Sequence, residues 1–249
     1  MSLLGLQRDG SGPVLVWLHG FTQTKNSAHE FRSILTGTYE VLTIDLPGHG
    51  ENAAVSASLE ETADLLCEVL PREPFLLGGY SMGGRVALHV ALRHPERLSG
   101  LFLLSATLGI HDNDERQTRR ERDNKLAERI EEIGTDKFLD EWLAQPMFAT
   151  LPHDPLERAA RSKSAPGLAD ALRLAGTGTQ SWLGDAATEL DVPTTLVVGS
   201  KDKKFINEGQ LLSERLRHSR LSMIHDAGHA AHLERPDAVG HLLRRVQPQ

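Results

Sequence analysis

The chain has 249 residues, a formal net charge of −7, 39% hydrophobic residues and a single cysteine. That length holds one large α/β domain with an insertion, or two small domains. The acidic balance excludes a broad cationic surface for a nucleic-acid backbone, and one cysteine excludes an internal disulfide. No apolar run approaches the ~18 residues of a membrane span, and Met1 to Gly12 lacks a cationic start followed by an apolar stretch. The expectation is a soluble cytoplasmic protein of one domain plus a lid.

Short β-rich runs recur at Val14–Leu18, Glu40–Ile44, Phe75–Leu77, Leu101–Leu104, Thr194–Val198 and Arg220–Ile224, mostly separated by helical patterns. Such alternation predicts a mostly parallel, doubly wound α/β sheet with helices on both faces. The first run exits through Leu18-His19-Gly20-Phe21, where glycine permits a turn. The second exits through Asp45-Leu46-Pro47-Gly48-His49-Gly50, which reads as a structural loop beside the site entrance. Ser58 with Glu61 forms a capping box for a helix whose apolar stripe is Leu59, Ala63, Leu66 and Leu70, and Pro71 closes it. Cys67 falls in that helix as core filler.

After the third run comes Gly79-Tyr80-Ser81-Met82-Gly83, a G-x-S-x-G pentapeptide followed by a helical stretch from Arg85 to His94. Between strand and helix this spacing marks a nucleophile elbow. The turn strains the serine backbone, and glycines at the flanks let neighbouring backbone pass without a Cβ clash. Arg85, four residues after Ser81, shares a helix face with the nucleophile region, and its planar fork suits a substrate carboxylate.

The alternation stops after Leu104 and resumes near Val192. The arginine-rich stretch between them, broken by Pro146, Pro152, Pro155 and Pro166, reads as a helical cap inserted into the sheet domain. The expected division is residues 1–105 and 190–249 for the sheet domain and 106–189 for the cap, covering the carboxyl ends of the strands where ligands of open α/β sheets bind. Leu126, Ile130 and Ile133 form one apolar stripe, and seven positions before Leu126 lies Arg119, expected to point inward. Arg116, Arg120, Arg122 and Arg129 interleave with glutamates and read as a solvated face. Arg161 sits where no periodicity orients it. Trp142 with Phe148 reads as cap core or pocket wall.

A serine needs a histidine to take its proton, and the histidine needs a carboxylate to orient it. In the chain order Ser, acid, His, the acid follows a late strand and the histidine the last one. Asp202 after Thr194–Val198 and His229 in Asp226-Ala227-Gly228-His229 fit that order. His225 ends the strand, His232 begins the next helix, and Asp226 is too close in sequence to bond the same ring. Backbone N–H groups of Met82 and Phe21 are the candidate oxyanion hole.

Taken together, Leu18-His19-Gly20-Phe21, the Asp45–Gly50 loop, Gly79-Tyr80-Ser81-Met82-Gly83-Gly84-Arg85 and Ala227-Gly228-His229 resemble the 2-succinyl-6-hydroxy-2,4-cyclohexadiene-1-carboxylate synthases of menaquinone biosynthesis, within the α/β-hydrolase fold. Ala91-Leu92-Arg93-His94-Pro95-Glu96-Arg97, the Arg119 helix, Glu141-Trp142-Leu143-Ala144-Gln145-Pro146-Met147-Phe148, Gly176-Thr177-Gly178 and Asp202-Lys203-Lys204-Phe205 extend the likeness from about Val14 to Pro236. The resemblance implies a lyase that removes pyruvate from 2-succinyl-5-enolpyruvyl-6-hydroxy-3-cyclohexene-1-carboxylate with no metal and no organic cofactor. It implies substrate contacts from Arg85, Arg119, Arg161, Tyr80, Trp142 and His19 to a small-molecule polycarboxylate. Arg120 departs from the pattern, standing where family members carry an aromatic or another residue. Rival readings are a serine carboxylesterase or C–C bond hydrolase acting on an acidic substrate, and a non-catalytic, receptor-like binder of an acidic ligand. Monomer and homodimer are both left open.

Overall fold

The structure, a computed structural model, describes residues 5–246; residues 1–4 and 247–249 of the expected sheet domain lie outside the described residues. Seven strands form one sheet: β1 Gln7–Gly10, β2 Val14–Leu18, β3 Glu40–Thr43, β4 Phe75–Tyr80, β5 Leu98–Leu104, β6 Thr194–Gly199 and β7 Ser219–Ile224, in the spatial order β1-β3-β2-β4-β5-β6-β7. Only the β1–β3 pair is antiparallel, with Gln7 opposite Thr43; the other five are parallel. β1 carries no apolar alternation (Gln-Arg-Asp-Gly) and is half-exposed along its length, so its pairing leaves no periodic signal.

Alternate residues of the central strands feed two cores. Val16, Leu18, Leu42, Leu77, Leu101, Leu103 and Leu196 face one side, where they meet Leu66 of α2 (Leu59–Val69), Val86 and Val90 of α3 (Met82–Arg93) and Leu212 of α8 (Lys203–Arg215). Leu15, Trp17, Leu76, Phe102, Leu104 and Val197 face the other, packed on Phe31 and Leu35 of α1 (His29–Leu35), on Ala231 of α9 (Ala231–Glu234) and on Val239 and Leu243 of α10 (Pro236–Arg244). This is the doubly wound arrangement the alternation predicts. The Ser58–Glu61 capping box is formed in both directions at the start of α2.

Between β5 and β6 the chain is helical: α4 Asn113–Leu143, α5 Pro155–Ala159, α6 Ala165–Ala175 and α7 Gly184–Ala187. Gly134, at φ 75° and ψ 167°, kinks α4. The first part of α4 packs on α6 through Ala127, Ile130, Leu168 and Leu172, with Phe138 closing the cluster and Leu126 and Ile133 at its edge. Three of the four prolines of this stretch start helical turns rather than breaking them, while Pro152 lies in the irregular segment before α5. Pro146 opens a 3-10 turn, Pro155 is the first residue of α5 and Pro166 lies in the first turn of α6, where a missing N–H costs nothing. Among the described residues no helix is long and apolar enough to cross a membrane.

Candidate active site

The carboxyl ends of β2, β4, β6 and β7 deliver the candidate residues to one edge of the sheet. Ser81, between β4 and α3, has φ 51° and ψ −106°, a conformation that costs a non-glycine residue about 1–3 kcal/mol. Its N–H donates to the Leu104 carbonyl at 2.9 Å. The flanking glycines have steric causes. A Cβ on Gly79 would stand 2.3 Å from the Gly83 carbonyl oxygen, and one on Gly83 would stand 2.2 Å from that of Leu18.

The strained turn holds Ser81 Oγ 3.0 Å from His229 Nε2, and His229 Nδ1 lies 2.7 Å from Asp202 Oδ2. Asp202 also caps α8 by accepting from the Phe205 N–H through Oδ1, so both its oxygens are committed. The His229 carbonyl accepts from Ser105 Oγ at 3.0 Å, and Tyr80, Phe148 and Phe205 surround the ring. The neighbouring histidines are placed elsewhere. His225 is exposed and paired with Asp226, itself paired with Lys201. His232 is buried behind Tyr80, ring centroids 4.4 Å apart. The backbone N–H groups of Phe21 and Met82 meet no acceptor among the described residues, which leaves two donors beside Ser81 available to a developing oxyanion.

Above Ser81 a cavity of about 370 Å³ opens, bounded by α3, α4, α6 and α8. Four cations line it: Arg85, Arg119, Arg122 and Lys204. Arg85 is buried at 7% exposure, and its Nη1 donates to the Ala175 carbonyl at 2.8 Å and to Gln180 Oε1 at 3.4 Å. Among the described residues no carboxylate comes within ion-pair distance of it. Burial, with a smaller push from Arg119 and against a counter-pull from Asp123, brings its pKa down to about 10. Arg119 reaches the cavity while its Nε donates to the buried Asp123 at 2.8 Å. Arg120 instead donates to the Gly178 carbonyl. Lys204 is lowered from its ordinary range by desolvation and then by Arg119.

Trp142 and Tyr80 both line the cavity. Trp142 also stacks on Phe138 and meets Phe21 edge-on, so wall and core, alternatives in the sequence, are one position here. Two expected substrate contacts are placed differently. His19 is turned away from the cavity: Nδ1–H donates to the Gly20 carbonyl and Nε2 accepts from the Leu46 N–H. With both nitrogens engaged and burial pushing its pKa down to about 4, it braces the loops after β2 and β3 as a neutral ring. Arg161 donates to Thr22 Oγ1 at 2.6 Å and lies 3.8 Å from Glu157, outside the cavity wall.

Sequence reasoning missed Arg122, Thr107, Gln180 and Glu208. Arg122 carried a usable signal, since it lies three residues after Arg119 and so on the same helix face. Thr107, Gln180 and Glu208 carried none, being brought together from three separated segments.

A family model described as alpha/beta hydrolase fold matches residues 13–236. The 2-succinyl-6-hydroxy-2,4-cyclohexadiene-1-carboxylate synthase of Yersinia pestis (strain Pestoides F) is 33% identical over 240 residues, covering 92% of this chain and 85% of that protein. The chain belongs to this synthase family. Among solved structures, MenH from S. aureus superimposes with a TM-score of 0.90 at 30% identity, covering 98% of this chain and 97% of that one. A thermophilic esterase from Thermogutta terrifontis, with malate bound, follows at a TM-score of 0.80 and 26% identity over 96% and 91% of the two chains. The synthase family thus shares its fold with an ester hydrolase.

Proposed function

We propose that this chain is a carbon–oxygen lyase of menaquinone biosynthesis. It eliminates pyruvate from 2-succinyl-5-enolpyruvyl-6-hydroxy-3-cyclohexene-1-carboxylate, yielding 2-succinyl-6-hydroxy-2,4-cyclohexadiene-1-carboxylate. The observation that carries this reading is the Arg85 guanidinium, buried on neutral carbonyl oxygens with no carboxylate paired to it directly, the nearby Asp123 being bonded to Arg119 instead, in the same cavity as Ser81, His229 and Asp202. A buried cation with no directly paired anion is a standing cost that a pocket for neutral esters has no use for and that a carboxylate substrate offsets.

In the reaction, His229 Nε2 takes the Ser81 proton, while Asp202 holds Nδ1–H and stabilises the imidazolium. Ser81 Oγ then removes the ring proton at C2, alpha to the succinyl ketone. Negative charge develops on that ketone oxygen and is met by the Phe21 and Met82 N–H groups. Collapse of the enolate moves the 3,4 double bond to 4,5 and places a new one at 2,3, expelling enolpyruvate from C5. The expelled enolate takes the proton that the His229 imidazolium holds and becomes pyruvate, which returns His229 to its neutral form. Water takes no part, and Ser81 forms no ester. Arg85 and Arg119 hold substrate carboxylates, with Tyr80 and Trp142 as walls. The helical segment 106–189 acts as the cap over the site, and the proposal places the reaction in the cytoplasm, in keeping with the lone unpaired Cys67.

The likeness to a malate-bound esterase favours one second reading, hydrolysis of an acidic ester by the same serine. Incubation with the freshly made pathway intermediate separates them. The lyase releases pyruvate without an acyl-enzyme, whereas the esterase gives a nitrophenol burst from an activated ester and no pyruvate. Absence of pyruvate release would overturn the proposal.

A further inference from the structure

Two carboxylates line the cavity, Asp202 and Glu208. Asp202 is spent on His229 and on the α8 cap. Glu208 is unexplained by an anion-binding site, since its charge repels a polycarboxylate. It is nonetheless held in place. Its Oε2 accepts from Thr107 Oγ1 at 2.6 Å, and that hydroxyl in turn accepts from the Gly109 N–H at 3.1 Å. The Thr107 carbonyl accepts from Gln180 Nε2, whose amide oxygen accepts from Arg85. Glu208 Oε1 has no hydrogen-bond partner among the described residues.

Resting on the lyase reading above, we propose that Glu208 is a specificity-determining residue that accepts a hydrogen bond from the substrate's ring hydroxyl. The named substrate carries one hydroxyl, on C6, next to the carbon that bears the ring carboxylate. Lys204 and Glu208 are four residues apart on α8, so they lie side by side on one helix face, with Cβ atoms about 5–6 Å apart. An ammonium beside a carboxylate matches a β-hydroxy acid, the ammonium taking the ring carboxylate and Glu208 Oε1 taking the hydroxyl proton. A carboxylate accepts hydrogen bonds and repels other anions, so Glu208 rejects a carboxylate at that point and selects a donor. The Thr107 hydrogen bond fixes which oxygen faces the ligand, which is the preorganisation a specificity contact needs.

The test compares pyruvate release from the hydroxylated substrate and from its 6-deoxy analogue by wild type, Glu208→Leu and Glu208→Gln. Wild type is expected to prefer the hydroxylated compound about ten- to a hundredfold in kcat/KM, the range for a hydrogen bond to a charged group. Glu208→Leu should reduce that preference to within about threefold, mainly through KM, because the hydroxyl is present in both ground and transition states. Glu208→Gln, which keeps an acceptor oxygen, should restore part of it. A wild type indifferent to the hydroxyl would overturn the proposal, as would variants that slow both compounds by the same factor. Calorimetric titration of both compounds into Ser81→Ala, with and without Glu208→Leu, reads the same discrimination without turnover. If wild type releases no pyruvate from either compound, the lyase reading fails while the titrations still decide the hydroxyl contact.

Discussion

Replacing Arg85 by methionine should move activity and stability in opposite directions. In the fold, burial has pulled the guanidinium from its ordinary range down to about 10. The folded pKa lies below the unfolded one, so the fold disfavours the charged form, and at about 1.4 kcal/mol per pH unit this corresponds to about 3 kcal/mol at neutral pH. Methionine removes that cost but leaves the Ala175 carbonyl, now bound at 2.8 Å, without its donor, a loss of about 1–3 kcal/mol. The net effect on the ligand-free protein is therefore between zero and about 2 kcal/mol in favour of the variant, or up to several degrees in Tm. For catalysis, a carboxylate about 4 Å from the guanidinium at an effective dielectric of about 20 gains about 4 kcal/mol, and charge-assisted hydrogen bonds give about 1.5–3 kcal/mol. Loss of the contact should lower kcat/KM for pyruvate release about 10²- to 10³-fold. Steady-state pyruvate assays and ligand-free thermal melts check both halves. A variant that melts well below wild type while losing activity would refute the reasoning, showing a structural cation. So would a variant of unchanged kcat/KM.

Three further outcomes follow from the same geometry. Gly83→Ala should unfold or severely destabilise the protein, because its Cβ would sit 2.2 Å from the Leu18 carbonyl oxygen; soluble protein with near-wild-type Tm and activity would contradict the elbow geometry. Acid should destabilise the fold from about pH 6.5 downward. Burial pushes His19 and His89 down to about 4, and His49 and His232 to about 3, so the unfolded chain binds more protons across that window and stability falls with pH until the folded values are passed. At up to about 1.4 kcal/mol per pH unit each, these four rings remove about 4–5 kcal/mol between pH 6 and 5, and a urea midpoint unchanged over that interval would contradict it. His19→Leu should lower Tm through the lost Gly20 and Leu46 hydrogen bonds and leave KM for the substrate within about twofold, whereas a large rise in KM with unchanged Tm would return His19 to the substrate.

The parallel sheet was legible in the sequence because buried strands are short apolar runs. β2 was read with its observed limits, whereas β4, extended to Tyr80 through Gly78 and Gly79, ran past its apolar stretch. β1 was not legible because an exposed edge strand needs backbone pairing alone. For the candidate site, local constraints left marks and long-range ones did not. The elbow is written in Gly79, Ser81 and Gly83 because a Cβ at either glycine meets backbone, and the spacing of Asp202 and His229 follows from strand ends. The direction in which His19 turns depends on the Leu46 N–H, 27 residues away. The seat of Arg161 depends on Thr22, 139 residues away, and neither is periodic. Glu208 became visible only once Thr107 was found against it.

The central claim is that Ser81, with Oγ 3.0 Å from His229 Nε2, is the base that starts pyruvate elimination. It is tested most directly by single-turnover pyruvate release from the freshly made intermediate, comparing wild type with Ser81→Ala. The account predicts rapid, stoichiometric pyruvate from wild type, a rate lower by at least about 10³-fold in Ser81→Ala with the substrate still bound, and no acyl-enzyme by mass spectrometry in either. Release by Ser81→Ala at close to the wild-type rate would contradict it, as would a covalent ester on Ser81.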